Sequence, residues 1–367
     1  MFINPLLATT LLSLGLLSFY YSYFFLKLNI YKSSALNFSE PISIIVCAKN
    51  EFHNLKEKLP AILNQDYPNY EIIVVNDQSV DDTTVLLKEL KKQYHNLVVV
   101  TIEKHINERP GKKFALTLGI KTAKYEQLLL TDADCIPNSK NWAMQMCSNF
   151  NSADIVLGYG SYERKKGLLN KLIRFDTFNV AQQYLSYALA GQTYMGVGRN
   201  MAYKKSLFFE NKGFANHLHI TSGDDDLFIQ EIANKNNGRI EITEQAHTTS
   251  TVIEKWREWA YQKRRHITTA SLYKTKFKIL LTLYPYAQTL FWAALFLLFL
   301  IKAPLQFCII LLGVKIFLSY LVNYKAMKIL KVMDLYWMHP VYEIMYLCIQ
   351  GIFVLLNIVS KPKKWSR

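Results

Sequence analysis

Hydrophobic residues are concentrated in a few long spans near the two ends of the chain. Residues 1–26 and residues 279–301 contain no charged side chain, and each span is long enough to cross a bilayer as a helix. Residues 304–323 and 340–360 are further candidates, although Lys315 lies well inside the first of them, where a charge costs about 3 kcal/mol on insertion scales. Three interpretations of this lysine stay open: it faces other helices, it snorkels, or it marks a re-entrant segment. The pattern predicts a membrane protein.

Between these ends, from residue 41 to residue 246, short apolar runs alternate with helical stretches. The apolar runs have the length and the β-branched content of buried parallel strands. The predicted strands cover 42–48, 70–75, 97–102 and the run that leads into Asp132, and the predicted helices cover 51–64, 81–93 and 114–122. Strands that alternate with helices predict an α/β domain with a mostly parallel sheet. No Gly-x-Gly-x-x-Gly follows the first strand and no Walker loop is present, which argues against a dinucleotide enzyme or a P-loop ATPase.

The composition and the net charge limit the classes of partner that this chain can bind. The chain has 367 residues, 51% of them hydrophobic, and a formal net charge of +15. Such a charge suits nucleic acid, an anionic membrane surface or a phosphorylated substrate. Because the hydrophobic residues are clustered in long spans, the charge is interpreted as that of a membrane protein without a nucleic-acid partner.

The first apolar span is predicted to be a retained anchor rather than a signal peptide. It lacks a basic start and a small-residue cleavage site, and Lys27 and Lys32 follow it on the expected cytoplasmic side. The five cysteines are scattered without a Cys-x-x-Cys, so they indicate neither zinc nor a disulfide framework and fit a reducing compartment.

The chain is therefore predicted to have five parts. These are an N-terminal transmembrane anchor (1–28), an α/β domain (38–250), an amphipathic interfacial segment (251–278), C-terminal transmembrane segments (279–360) and a basic tail (361–367). The number of C-terminal crossings and the side of the C-terminus stay open, because the tail competes with Lys325, Lys328 and Lys331 for the cytoplasmic side.

Two carboxylates follow the last predicted strand of the parallel set. Residues 128–135 read Leu-Leu-Leu-Thr-Asp-Ala-Asp-Cys, so Asp132 and Asp134 come directly after a buried run. Ligands of open α/β sheets bind at the carboxyl ends of the strands, where loops carry polar groups. A hard cation, Mg²⁺ or Mn²⁺, relieves the repulsion of two such carboxylates and bridges them to a substrate phosphate. The alternative is an acidic turn without a ligand.

Several further motifs occur in a fixed order with these carboxylates. They are Pro-Ile-Ser-Ile-Ile-Val-Cys-Ala-Lys-Asn-Glu at 41–51, Val-Val-Asn-Asp-Gln-Ser-Val-Asp-Asp-Thr at 74–83, Gly-Lys at 111–112, Gly-Arg-Asn-Met-Ala at 198–202, Ser-Gly-Asp-Asp-Asp-Leu at 222–227 and Gln-Lys-Arg-Arg-His at 262–266. Together they resemble glycosyltransferase family 2 over residues 41–266, and the resemblance extends to the flanking membrane helices. It implies a GT-A fold that transfers a sugar from a nucleotide donor, usually a UDP-sugar, with a divalent cation.

The resemblance also implies roles for residues at the matching positions. Ala48 and Glu51 match the nucleoside pocket, Asp77 matches the carboxylate that holds the uracil ring, Lys112 matches a basic residue near the donor phosphates, Asp132 faces the donor's ribose or sugar, and Asp134 ligates the metal. The alternatives are charges at helix N-termini and in turns for Glu51 and Asp77, and a solvated loop lysine for Lys112.

The acidic run 224–226 supplies the candidate general base. Three adjacent carboxylates repel, so at least one of them is expected to have a raised pKa in a sheltered site. Inverting transfer needs a base to deprotonate the acceptor hydroxyl. The family motif Thr-Glu-Asp-x-x-Leu places Asp224 at the base position when Leu227 is aligned, with Gly223 in place of the glutamate and a one-residue shift left open. Asp225 is then a diphosphate or acceptor residue. The alternative is an acidic helix start.

The last motif resembles the family pattern Gln-x-x-Arg-Trp. Gln262 and Arg265 match it, while His266 stands in the place of the tryptophan and removes a stacking platform for an acceptor sugar. Arg265 is a candidate for a bidentate contact with the departing diphosphate, and all three residues are assigned to the diphosphate and acceptor side. The alternative, compatible with this role, is an amphipathic helix on anionic headgroups.

The sequence thus predicts an inverting glycosyltransferase in the cell membrane, multi-pass, with a cytoplasmic catalytic domain. Its expected partners are a nucleotide-sugar donor, membrane lipids and a lipid-linked or glycan acceptor, and its expected cofactor is Mg²⁺ or Mn²⁺. Two alternatives stay open: a processive polysaccharide synthase, and a non-catalytic membrane scaffold, against which the intact Asp132, Asp134 and Asp224 argue.

Overall fold

The computed structural model describes residues 3–33, 38–103, 111–220 and 222–360. The basic tail 361–367 and most of the basic loop that precedes Lys112 lie outside the described residues. A sheet-based domain occupies the middle of the chain, and long apolar helices precede and follow it.

The domain contains ten strands within the described residues. In chain order they are β1 (Ile42–Ala48), β2 (Tyr70–Asp77), β3 (Leu97–Ile102), β4 (Gln127–Asp132), β5 (Cys135–Pro137), β6 (Ile155–Leu157), β7 (Gly160–Tyr162), β8 (Met201–Lys204), β9 (Gly238–Ile240) and β10 (Thr248–Ser250). Seven form one sheet in the order β3-β2-β1-β4-β8-β6-β9, and β5-β10-β7 form a second, smaller sheet. Four neighbouring strands, β3, β2, β1 and β4, run parallel to one another, whereas β8 pairs antiparallel with both β4 and β6. The predicted mostly parallel α/β sheet is confirmed.

Thirteen α-helices accompany these strands in the same described ranges. They are α1 (Ile3–Phe19), α2 (Leu26–Asn29), α3 (Phe52–Leu63), α4 (Thr83–Gln93), α5 (Lys112–Thr122), α6 (Trp142–Cys147), α7 (Leu168–Leu189), α8 (Lys205–Glu210), α9 (Asp226–Ile232), α10 (Trp256–Ala270), α11 (Thr275–Leu300), α12 (Leu305–Ile329) and α13 (His339–Val359). A π-helical segment, Tyr20–Phe25, joins α1 to α2.

The parallel strands are buried on both faces because helices cover both sides of the sheet. Ile45, Ile73, Val75, Leu128 and Leu130 face one hydrophobic core. Their alternate neighbours face the other core, and these are Ile42, Ile44, Val46, Ile72, Val74 and Leu129. This period of two is the side-chain alternation of a strand. The first core is continuous with the packed faces of α1, α11, α12 and α13, so the domain and the apolar helices share one hydrophobic core.

Helix α7 joins the sheet to the apolar helices. The hydroxyl of Tyr184 donates to the Gly158 carbonyl at 2.6 Å, and Gln182 donates to Asn323 on α12 at 2.8 Å. Arg174 makes a bidentate contact with Asp334, in the turn before α13, at 2.7 and 2.6 Å. The sequence pattern predicts no element here, because a helix that is buried on nearly every side has no amphipathic stripe.

Within the described ranges, four helices are long and apolar enough to cross a membrane. They are Ile3–Asn29, Thr275–Leu300, Leu305–Ile329 and His339–Val359, which correspond to the four predicted spans. The second C-terminal helix is continuous through Lys315, so this segment is not re-entrant. Lys315 is fully buried, forms an ion pair with Glu343 on α13, and lies 4.8 Å from the centre of the Trp292 ring. Of the three interpretations of this lysine, the structure supports the one in which it faces neighbouring helices.

Breaking this buried pair is expected to destabilise the helix bundle. Glu343→Leu leaves the Lys315 ammonium group without its carboxylate, which typically costs about 3–5 kcal/mol when the charge stays buried. The double variant Lys315→Met/Glu343→Leu removes both charges and is expected to be close to wild type or more stable. Equilibrium unfolding in detergent micelles measures the three proteins. Equal stability of Glu343→Leu and wild type would contradict the buried pair.

Candidate functional site

All eleven residues that the sequence singled out line one cleft of about 1200 Å³. They are Ala48, Glu51, Asp77, Lys112, Asp132, Asp134, Asp224, Asp225, Gln262, Arg265 and His266. The carboxyl ends of β1, β2 and β4 open into this cleft, as expected for an open α/β sheet. Helices α7 and α10 also contribute residues to its walls. The tertiary structure therefore brings together motifs that are up to 218 positions apart in the chain, from Ala48 to His266.

At one end of the cleft, the last residues of β1 and β2 lie side by side. Ala48 pairs with Asn76, so Asp77 extends one residue beyond β1. Asp77 is 1% exposed, and neither carboxylate oxygen accepts a hydrogen bond from a described residue; Lys49 Nζ is 3.7 Å away. Burial raises the pKa of Asp77, and Lys49 opposes this only in part. A buried carboxylate without a hydrogen-bond donor is suited to accept N–H or O–H groups of a ligand.

Glu51 precedes α3 and lines the same cleft. Its Oε2 accepts a hydrogen bond from Asn54 Nδ2 at 2.6 Å, and its backbone N–H donates to Thr83 at 3.1 Å. The contact with Thr83 ties the start of α3 to the start of α4. The local structure therefore fixes both acidic side chains at the mouth of the same strand pair.

Asp132 ends β4 and Asp134 lies in the turn that follows it. A buried lysine, Lys58, binds the backbone of this turn. Lys58 Nζ donates to the Asp134 carbonyl at 2.9 Å and to the Thr251 hydroxyl, and it forms an ion pair with Glu163 at 3.5 Å. Lys58 thus holds the backbone at Asp134, a residue that lines the cleft.

Three ligand-type side chains meet at this loop. One atom from each of Asp132, Asp134 and Cys135 lies within 4.8 Å of the others. Burial raises the pKa of the Cys135 thiol, and Asp134 and Asp132 raise it further, so this group is a neutral thiol beside the Ser250 hydroxyl at 3.1 Å. The available donors are therefore two carboxylates, the ligand type that Mg²⁺ and Mn²⁺ prefer.

Lys112 links this loop to the second acidic cluster. Its Nζ lies 2.9 Å from Asp132 and 3.0 Å from Asp224. Burial by itself would lower the pKa of Lys112, but Asp132, Asp224 and Asp225 raise it well above its usual value, so the side chain stays cationic. A Cβ atom at Gly198 would lie 3.1 Å from this Nζ, so the glycine leaves room for the lysine. Lys112 is the first residue of α5 rather than part of a loop.

The three consecutive aspartates have different environments. Burial raises the pKa of Asp224, but its contact with Lys112 outweighs burial and lowers the pKa overall. Burial and the charges of Asp224 and Asp226 raise the pKa of Asp225 to about 7. Asp225 also accepts hydrogen bonds from the backbone N–H groups of Gly198 and Asp226, at 3.1 and 2.8 Å.

Asp226 connects two helices. Its Oδ1 accepts from the Leu227 N–H at 2.7 Å, and its Oδ2 accepts from the hydroxyls of Thr269 and Tyr273 at 2.5 and 2.7 Å. Burial raises its pKa. Through these contacts both oxygens are engaged, and Asp226 anchors α9 to the end of α10.

Helix α10 presents the last motif to the cleft. Gln262 Nε2 donates to the Tyr162 hydroxyl at 3.5 Å, and Arg265 Nε is buried and donates to no described group. The His266 side chain is accessible from the cleft, and the walls of the cleft surround it. The resulting loss of hydration, together with the charges of Arg265 and Lys263, lowers the pKa of His266 well below its usual value. Helix α10 thus contributes a cationic donor group, Arg265, beside a neutral imidazole.

Sequence reasoning assigned no role to three side chains on which this cleft also depends: Lys58, Tyr162 and Arg199. Lys58 is typical of an exposed helix lysine in sequence, and only its contacts reveal it. Tyr162 lies in a short strand without a motif. Arg199 was inside the Gly-Arg-Asn-Met-Ala segment, and its position between two motif residues was the available signal.

Comparison with known proteins relates this chain to one enzyme family. Residues 43–210 match the model of glycosyl transferase family 2. The poly-beta-1,6-N-acetyl-D-glucosamine synthase of Staphylococcus epidermidis is 36% identical over 119 residues, which is 31% of this chain and 28% of that protein. The poly(ribitol-phosphate) beta-glucosyltransferase of Bacillus spizizenii is 31% identical over 192 residues, which is 51% of this chain and 28% of that protein. The chain therefore matches less than a third of the length of either relative.

A solved structure covers nearly the whole chain. The mannosyltransferase PcManGT from Pyrobaculum calidifontis, in complex with GDP-Man and Mn²⁺, superposes with a TM-score of 0.63 at 19% identity, over 97% of this chain and 99% of that one. At this identity the likeness establishes the fold, including the helices on both sides of the sheet domain. Residues 43–210 thus match glycosyl transferase family 2, and the chain shares its GT-A fold with this mannosyltransferase.

Proposed function

We propose that the chain is an inverting glycosyltransferase that moves a sugar from a nucleotide-sugar donor, a UDP-sugar, to a membrane-associated lipid-linked or glycan acceptor. The observation that carries this proposal is the convergence of the acidic, basic and amide side chains of six separate motifs on one cleft. Sugar transfer has four requirements: a pocket for the nucleobase, a binding site for the diphosphate, a general base that accepts the proton, and a route by which the acceptor enters from the apolar helices. We propose that the cleft meets all four.

The donor is proposed to lie across the ends of β1, β2 and β4. The buried Asp77 carboxylate accepts hydrogen bonds from the uracil ring, with Ala48 and Glu51 on the walls of the same pocket. Asp132 faces the ribose or the sugar, and Lys112 lies near the phosphates. The unpartnered oxygens of Asp77 support this orientation, since a buried acceptor without a donor carries a cost that a bound base removes.

Asp134 is proposed to ligate a Mg²⁺ or Mn²⁺ ion together with the donor diphosphate. The donor set fits, because Asp132 and Asp134 offer carboxylates while Cys135 remains a buried thiol. When bound, such an ion neutralises the diphosphate charge that develops as the bond to the sugar breaks. Arg265 on α10 is proposed to bind the leaving diphosphate, and its Nε, which donates to no described group, supports this role.

Loss of the ion or of its ligand is expected to weaken nucleotide binding to the same extent. Asp134→Asn should reduce the affinity for UDP in MnCl₂ by about 10- to 100-fold, the range for losing a charge-assisted contact. EDTA should have the same effect on wild type and little further effect on the variant. Isothermal titration calorimetry with UDP and with uridine measures this, and uridine binding should not change.

A matched acidic substitution provides the control for that measurement. Asp154 forms a partly exposed ion pair with Lys204 at 2.7 Å and lies outside the cleft. Asp154→Asn removes the same charge and should leave UDP affinity unchanged. If EDTA and Asp134→Asn both leave UDP affinity at the wild-type value, the metal assignment is wrong.

The proposed base lies in the Asp224–Asp225 pair. Asp224 is the first candidate, because the motif aligns with it and because Lys112 keeps it ionised at neutral pH. Asp225 is the alternative, because a pKa of about 7 matches the strength that general-base catalysis favours near neutral pH. In either case the carboxylate removes the proton of the acceptor hydroxyl, whose oxygen attacks the anomeric carbon as the nucleoside diphosphate leaves.

The pH profile separates the two candidates. If Asp225 is the base, kcat/KM should fall on the acid side with a midpoint near 7, since a protonated carboxyl cannot accept a proton. If Asp224 is the base, its lowered pKa keeps the rate high through the mildly acidic range.

Substitution of the base by Asn should lower the transfer rate by about 10²–10⁴-fold and leave UDP binding unchanged. Asp226→Asn is the structural comparison and should lower the unfolding temperature. Normal turnover of Asp224→Asn and Asp225→Asn would refute this part of the proposal.

The acceptor is proposed to enter from the membrane side of the cleft. Apolar residues of α7, α11 and α13 line that side, among them Ile173, Val180, Leu281 and Tyr346. The ion pair between Asp176 and Lys263, at 2.8 Å, joins α7 in this wall to α10.

For the chain as a whole we propose the five-part organisation that the sequence predicts. Residues 1–28 are the anchor, 38–250 the catalytic domain, 251–278 the interfacial segment, 279–360 the membrane helices and 361–367 the tail.

A processive polysaccharide synthase is the second candidate. The similarity to the poly-beta-1,6-N-acetyl-D-glucosamine synthase favours it. The length of the product made from a single acceptor distinguishes the two, since a processive enzyme releases long chains while acceptor is still in excess.

The catalytic domain is proposed to lie on the cytoplasmic side of a cell membrane, where nucleotide sugars are made. Protease added outside intact cells should leave residues 41–266 uncut, and the same protease should cut them after permeabilisation. Immunoblotting with tags in the loops on either side of the domain measures the fragments. Cleavage in intact cells would contradict both the orientation and the proposed donor supply.

A further inference from the structure

Arg199 is a cation of the cleft that the family motifs leave without a role. It follows Gly198, ahead of β8, and lines the same cleft as the acidic loop and α10. Its guanidinium carbon lies 4.5 Å from the centre of the Tyr162 ring. The only hydrogen bond of its side chain to a described residue runs from Nη1 to the Ser250 hydroxyl at 3.5 Å, and no described carboxylate forms an ion pair with it. Most of its five N–H donors are therefore unused.

The backbone and the side chain of Arg199 are both held in place. Its carbonyl accepts hydrogen bonds from the hydroxyls of Thr131 at 2.9 Å and Thr248 at 3.0 Å, which lie on β4 and β10. A Cβ atom at Gly160 would lie 3.0 Å from Arg199 Cβ and 3.4 Å from its Nε, so a glycine at that position leaves room for the side chain. A guanidinium fixed in this way has little conformational entropy left to lose on binding a ligand.

The aromatic platform connects Arg199 to the Gln-x-x-Arg motif. The Tyr162 ring stacks beneath the guanidinium, and its hydroxyl accepts from Gln262 on α10. Arg199 therefore lies between the Asp132–Asp134 loop and the helix that carries Arg265. Burial by itself would lower the pKa of Arg199, but Tyr162, Cys135, Asp134 and Asp132 raise it, so the group stays charged.

A fixed, charged fork with free donors in a substrate cleft is built to bind an oxyanion in bidentate fashion. We propose that Arg199 binds an oxyanion of a substrate, either the donor diphosphate or a phosphate or carboxylate group on the acceptor. This inference rests on the proposed function, since it assigns a contact within that same cleft. The opposing possibility is that Arg199 only packs on Tyr162 and stabilises the fold.

The donor arm of the test uses nucleotides as probes. Binding of UDP, GDP and uridine in MnCl₂ is measured by calorimetry on the full chain in detergent, for wild type, Arg199→Gln and Arg199→Lys. If Arg199 holds the donor diphosphate, Arg199→Gln should weaken UDP about 10- to 100-fold and leave uridine unchanged. Arg199→Lys keeps the charge without the fork and should recover part of the affinity. Arg239→Gln, at an exposed arginine of β9 outside this cleft, is the matched control and should bind UDP like wild type.

The acceptor arm uses membrane lipids separated by anion exchange into neutral and anionic fractions. Transfer from a radiolabelled nucleotide sugar that wild type accepts is measured with each fraction, beside hydrolysis of the same donor without lipid. If Arg199 holds the acceptor, Arg199→Gln should raise the KM for the anionic fraction about 10- to 100-fold while UDP affinity and donor hydrolysis stay at the wild-type values.

Two results overturn the proposal. One is wild-type UDP affinity together with wild-type transfer kinetics in Arg199→Gln. The other is a lower unfolding temperature with UDP and uridine affinities reduced alike, which is the behaviour of a packing residue. If Arg199→Gln does not fold, the same comparisons are made with Arg199→Lys. A wild-type protein that binds neither UDP nor GDP would refute the proposed function instead, so the two failures are distinguishable.

Discussion

The bridge from Lys112 to Asp132 and Asp224 is the interaction around which the cleft is organised. Five carboxylates, Asp132, Asp134, Asp224, Asp225 and Asp226, come from two segments that are about 90 residues apart, and their mutual repulsion opposes bringing the segments together. Lys112 lies between the two groups, at 2.9 and 3.0 Å from one member of each. Because the partly buried ammonium group and the carboxylates stabilise each other's charges, the contact fixes α5, the end of β4 and the start of α9 relative to one another. The remaining charges of the cleft are arranged around that fixed point.

This arrangement gives neighbouring carboxylates different chemistry. Asp224 pairs with Lys112 and stays ionised, Asp225 is pushed towards a pKa near neutrality, and Asp226 is engaged by the hydroxyls of α10 and the segment after it. Three identical side chains in a row therefore supply an ionised acceptor, a titratable group and a structural anchor. The differences come largely from partners on other elements, which are Lys112 for Asp224, Gly198 for Asp225, and Thr269 and Tyr273 for Asp226.

The second constraint is the continuity between the sheet domain and the apolar helices. Helix α7 contributes to the hydrophobic core of the sheet, and Arg174 contacts the turn between α12 and α13. The cleft is bounded on one side by the ends of the strands and on the other by α7, α11 and α13. The proposed nucleotide-sugar donor and the proposed membrane-associated acceptor would therefore reach the same carboxylates from opposite sides. For this to work, the sheet and the helices must be held rigidly, and the shared core and the ion pairs of α7 provide that connection.

The sequence by itself determined the class of the domain, the four apolar spans and the candidate residues of the cleft. Strand runs such as 42–48 and 70–75 are readable because a buried parallel strand is continuously apolar, and Asp77 and Asp132 are readable because polar residues end those runs. Only the tertiary structure decided what depends on contacts between distant residues. It showed α7, which lacks an amphipathic stripe, and the burial of Lys58 and Lys315. It also showed that Arg199 stacks on Tyr162 and that the three aspartates have different partners. A run of charges in sequence has no dielectric environment and no partner until the chain folds, and the chemistry of a carboxylate or a guanidinium is set by both.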